Sequence, residues 1–101
     1  MDKRIRLSDE EIEIIKKVAS EVFGGDAKVY IFGSRTDLTK KGGDIDIFIE
    51  TQKDVFLNQE IDFLAKLEIK GVERSVDVLI KAKNTDDKPI FEEAKRTGIL
   101  I

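Results

Sequence analysis

Hydrophobic residues recur with two different periods along this chain, and the switch between them marks out its elements. From Ile12, apolar side chains return at Ile15, Val18, Ala19, Val22 and Phe23, the spacing of one face of a helix. Ser8-Asp9-Glu10-Glu11 precedes that stripe as a capping box, with Ser8 at the N-cap and Glu11 at the third helical position. Leu7 and Ile12 flank the box as a hydrophobic staple, and Gly24-Gly25 stops the helix. Ala27 to Phe32 is β-branched and aromatic, which predicts a strand ending at Gly33. From Asp44 the period falls to two. Ile45, Ile47 and Ile49 alternate with Asp44, Asp46 and Glu50, the pattern of a second strand.

The polar link from Thr36 to Gly43 is too short for a parallel crossover, so these two strands are expected to be antiparallel neighbours. Asp54 is expected to cap a second helix bearing Val55, Leu57, Ile61, Leu64 and Leu67, closed by Gly71. Ser75 to Ile80 predicts a third strand, with Asp77 inside an otherwise apolar run. Pro89 opens a last short helix (Ile90, Phe91, Ala94) that stops at Gly98. The apolar tail Ile99-Leu100-Ile101 is expected to pack on the body or on a partner. With no repeat or linker, residues 1–101 make a single domain.

Composition narrows the chemistry. A chain 41% hydrophobic and 39% charged folds rather than staying disordered. Its net charge of −3 gives no support to direct nucleic-acid binding by bulk electrostatics; Arg35, Lys40 and Lys41 form the small basic cluster. Cysteine and histidine are both absent, which removes disulfides, thiolate and imidazole ligands, and histidine-based triads. A bound metal must then be a hard, oxygen-ligated ion, Mg²⁺ or alternatively Mn²⁺. No apolar run approaches the ~20 residues of a membrane span, so no membrane association and a cytoplasmic location are expected.

The strand alternation puts Asp44 and Asp46 on one face, roughly 6.5–7 Å apart at Cα. Carboxylates that close repel each other unless a cation neutralises them. Taken singly, each feature has an ordinary explanation: Gly33-Ser34 as a turn, the two aspartates as a solvated face, Asp77 as a paired side chain. Together they fit one task. The Gly33-Ser34-Arg35 turn offers backbone N–H groups and a hydroxyl to the phosphates of a nucleotide. Asp44, Asp46 and Asp77 would hold two divalent ions beside them, an arrangement suited to in-line phosphoryl displacement without histidine.

This pattern, hydrophobic-Gly-Ser, a spacer, then Asp-hydrophobic-Asp-hydrophobic and a later strand Asp, resembles the nucleotidyltransferase superfamily typified by DNA polymerase beta. The length and the Gly33-Ser34-Arg35 form are similar to the minimal nucleotidyltransferases, the MntA-type antitoxins. The nine residues from Arg35 to Gly43 make a spacer one shorter than is usual there. The resemblance implies an α/β (α+β) nucleotidyltransferase fold, a small mixed sheet flanked by helices. It implies a Mg²⁺-dependent enzyme that transfers AMP from ATP, or a nucleotide from another NTP, to a protein acceptor and releases pyrophosphate. By motif match, Gly33 and Ser34 contact the triphosphate, with Arg35 beside them, and Asp44, Asp46 and Asp77 are the catalytic, metal-ligating carboxylates. It further implies a HEPN-domain ribonuclease toxin as partner and a role as the antitoxin of that pair. The alternative is a non-catalytic binding module that neutralises its partner by complex formation, as a homodimer or hetero-oligomer. An inert domain with a solvated aspartate face is the third reading.

Overall fold

The computed structural model describes residues 7–32, 45–72 and 75–101. Within them the order is α1 (Asp9–Phe23), β1 (Lys28–Phe32), β2 (Ile45–Glu50), α2 (Leu57–Lys70), β3 (Val76–Lys81), α3 (Pro89–Thr97) and β4 (Ile99–Leu100). The strands form one mixed sheet in the order β3-β2-β1-β4. β1 runs antiparallel to both β2 and β4, while β3 runs parallel to β2. The α/β class and the antiparallel first pair are as the sequence predicts. The helix between β2 and β3 is what makes their parallel pairing possible, since such a crossover needs a dozen or more residues.

The α1 capping box forms in full: the Ser8 hydroxyl accepts from the Glu11 N–H at 3.1 Å, and the Glu11 carboxylate accepts from the Ser8 N–H at 3.1 Å. Gly24 closes the helix at φ 103°, a backbone angle that favours glycine. Ile15, Val18, Ala19 and Phe23 are buried, as their spacing requires. They pack with Phe63 and Leu67 of α2 over the Ile45-Ile47-Ile49 face of the sheet. The Phe23 and Phe63 rings lie 5.2 Å apart between centroids, the distance of a favourable aromatic pair.

The second helix corrects the sequence expectation. Asp54 does not cap it. Helix α2 begins at Leu57, and the Gln59 side chain accepts from the Phe56 N–H at 2.9 Å while its amide donates to the Val22 carbonyl at 3.2 Å. One side chain thereby caps α2 and ties it to the end of α1. Its buried residues are Phe63 and Leu67, whereas Leu57 and Ile61, expected inside, are exposed. Val55 is buried but precedes the helix.

A smaller core fills the other face. Tyr30, Phe48, Phe91 and Ala94 are buried there with Phe32 and Leu79 against them. Phe91 of α3 stacks on Phe48 with centroids 5.6 Å apart. The chain then turns at Gly98, where a Cβ would collide with the Ala94 carbonyl, and the apolar tail enters the sheet as β4. Ile99 and Ile101 pack against the main core, and the Ile101 N–H donates to the Val29 carbonyl. The tail therefore packs on the body.

Two sets of substitutions test this account of α2. Gln59→Ala should cost about 1 kcal/mol in urea unfolding, as the loss of an N-terminal cap does, while Asp54→Ala should stay within about 0.5 kcal/mol of the parent. Phe63→Ala should cost about 3–5 kcal/mol, because the ring is fully buried between two helices and the sheet.

Candidate active site

The register of β2 decides which side chains share a face. Phe32 of β1 lies opposite Asp46, and Asp46 lies beside Asp77 of β3. The next row on that face is Tyr30, Phe48 and Leu79, and the third is Lys28, Glu50 and Lys81. The face is thus graded: carboxylates at one end, an apolar plug in the middle, ions of both signs at the other end.

Asp46 and Asp77 are drawn from neighbouring strands whose axes are on the order of 5 Å apart. Asp46 is half-buried and Asp77 is exposed. In the adjoining row Phe48 is fully buried by α3 and holds that strand down. Like charges set directly side by side on one sheet face repel, so such a pair needs compensating charge or hydrogen bonds around it. The donor set, carboxylate oxygen only, suits a hard divalent ion. Among the described residues no group of three such acidic ligands assembles. Gly33, Ser34, Arg35 and Asp44, the other residues singled out by sequence, lie outside the described residues.

At the opposite end, Glu50 is engaged by a different element. Lys95 of α3 reaches its two carboxylate oxygens at 3.2 and 3.3 Å. The Glu50 side chain keeps only 13% of its exposure. Its hydrogen bond and its charge raise the Lys95 pKa above the usual lysine value. A raised lysine pKa stabilises the fold at all pH values below the ordinary lysine range, and the contribution is lost as pH rises through the folded value. Glu50 thus anchors α3 across the sheet, a role that the alternation of β2 does not reveal. The signal for it was Lys95, four residues after Phe91 on the helix face that meets the sheet.

A comparison with curated proteins finds no match to this chain. Against protein families, residues 12–99 match the nucleotidyltransferase domain. That span includes β1, β2, β3 and both carboxylates described above. By this match over nearly its whole length, and with a mixed α/β sheet consistent with the fold, the chain belongs to the nucleotidyltransferase domain family.

Proposed function

We propose that this chain transfers AMP from ATP to a hydroxyl of a protein acceptor, and that the acceptor is a HEPN-domain toxin which it silences as the antitoxin. Family membership supports nucleotidyl transfer from an NTP. The observation that carries the site assignment is the lateral register of Asp46 with Asp77.

Gly33 and Ser34 would bind the triphosphate through main-chain N–H groups and the Ser34 hydroxyl, with Arg35 adding positive charge. Asp44, Asp46 and Asp77 would hold Mg²⁺, two ions in the fullest form. When bound, such ions neutralise the triphosphate and lower the pKa of the attacking hydroxyl. The acceptor oxygen bonds to the α-phosphorus, the bond from that phosphorus to the bridging oxygen breaks, and pyrophosphate leaves with its electrons. Asp77, exposed at the edge of the row, takes the acceptor's proton and releases it to water. The half-buried Asp46 is fixed by its strand and serves orientation.

Three outcomes are expected. Asp46→Asn should reduce transfer of labelled AMP by on the order of 10²-fold or more. Mg²⁺ with ATP at about 100 times its dissociation constant should stabilise the parent by about 2.7 kcal/mol, read as a melting shift of roughly 10–20 °C, and Asp46→Asn should lose most of it. Asp77→Ala should lower turnover far more than ATP affinity, measured by single-turnover kinetics beside equilibrium binding. An equal loss of both would assign Asp77 to nucleotide binding instead. Incubation with Mg²⁺, each labelled NTP in turn and the product of a neighbouring gene tests acceptor and nucleotide together.

A further inference from the structure

The sheet ends at β3, and among the described residues no strand covers its outer edge. Ile45 donates its N–H to the Ser75 carbonyl at 2.8 Å, and Thr51 donates to the Lys81 carbonyl at 2.9 Å. The odd-numbered residues of β3 therefore turn their main chain toward β2. By the alternation of a strand, Val76, Val78 and Ile80 direct their N–H and C=O groups outward. A groove of about 350 Å³ runs along this edge, lined by Val78, Leu79 and Ile80, by Phe56, Leu57 and Glu60 at the start of α2, and by Lys88 and Phe91 from the other face.

Large apolar side chains of this end of α2 are exposed among the described residues. Phe56 is 58% exposed, Leu57 70% and Ile61 58%. Gln59 bonds to the end of α1, so the flank of α2 that carries it faces α1. Leu57 lines the groove, and Ile61, one turn on, shares its flank opposite Gln59 by helical period.

We propose that this edge is a self-association surface, at which β3 of a second copy pairs antiparallel about a two-fold axis through Leu79. Outward main-chain groups can bond only if even-numbered residues face even-numbered residues, so a two-fold axis must pass through a residue. An axis through Leu79 sets Val78 against Ile80, Leu79 against its own copy, and Asp77 against Lys81. Every apolar side chain of the central pairs then meets an apolar one, and each charge meets its opposite. An axis through Val78 puts Asp77 against Leu79, and one through Ile80 puts Lys81 against Leu79. The charge pattern selects the central register. Within one copy, the pair that Lys81 makes with Asp87 is exposed and 3.7 Å long, a contact that stabilises little and is readily exchanged. A two-fold axis normal to the sheet also keeps both copies of α2 on one face, so the Leu57 and Ile61 flanks approach each other over the joined edge.

The test reads association of the chain without Mg²⁺ or nucleotide, where no ligand engages the Asp77 carboxylate, so it stands whichever way the activity assays fall. Sedimentation equilibrium of the 101-residue chain should show mass rising from one chain to two with concentration. Asp77→Lys and Lys81→Asp should each weaken self-association by on the order of tenfold or more, since two attractive pairs become repulsive. Mixed in equal amounts, the two variants should recover a heterodimer, because an edge carrying two lysines then meets an edge carrying two aspartates. Leu57→Lys, at an exposed helix position, should weaken the dimer while circular dichroism shows an unchanged fold. A single-chain mass at every concentration overturns the proposal. So does a dimer indifferent to both charge changes, or a mixture that stays monomeric while each variant is folded.

Discussion

Ile45, Ile47 and Ile49 are fully buried under α1 and α2, while Asp46 and Glu50 point the other way, and this register of β2 governs everything built around it. A slip of one residue would turn every side chain to the wrong face, setting carboxylates into the core and isoleucines into water. The cost of burying an ionised carboxylate without compensation is several kcal/mol, far more than a small domain can tolerate. Because β2 is held on both sides, by β1 in antiparallel and β3 in parallel register, that single choice also fixes where Phe32 and Asp77 stand. A purely packing requirement on one face thus positions charged chemistry on the other.

The second face shows how one short strand serves three purposes in three rows. Phe48 interrupts what would otherwise be a polar face, and α3 covers it through Phe91. Lys95, one turn further along α3, fastens the helix to Glu50. These two contacts lie on the central and far rows of the face, and the acidic row lies beyond them. Burial of Phe48 and neutralisation of Glu50 therefore stiffen the strand that carries Asp46. Two carboxylates brought side by side by a rigid sheet would bind a cation more strongly than two that are free to part, since folding has already offset their mutual repulsion.

Much of this was legible because it follows from local rules. The capping box at Ser8 and Glu11, the helical stripe of α1 and the alternation of β2 depend on near neighbours, and each takes its expected form. The start of α2 was not legible, because its cap is a glutamine whose amide also reaches a carbonyl on another helix. Asp54 looked better by propensity, yet tertiary contact decided otherwise. Leu57 and Ile61 share helical spacing with Leu64 and Leu67, but only the latter two reach the core, beside Phe63, which the pattern did not single out. The tail could not be placed from its apolarity alone, since pairing of β4 with β1 is a long-range event. Of the candidate site, the lateral meeting of Asp46 with Asp77 needs the parallel register, which no local pattern in either strand contains.

The two edges of the sheet are not equivalent, and this bears on how the chain meets other copies of itself. β4 is two residues long, too short to template much pairing, with Leu100 turned outward. β3 is six residues long and carries Val78, Leu79 and Ile80 in its middle. An edge left open among the described residues invites pairing in any register unless charges discriminate among them. Asp77 and Lys81 stand two residues either side of Leu79, so they favour one antiparallel alignment and leave a charge facing an apolar side chain in its neighbours. Such an alignment is isologous: both copies use the same edge, and the pair closes upon itself. Each copy uses its β3 edge on the other, so the proposed pair leaves no β3 edge for further growth.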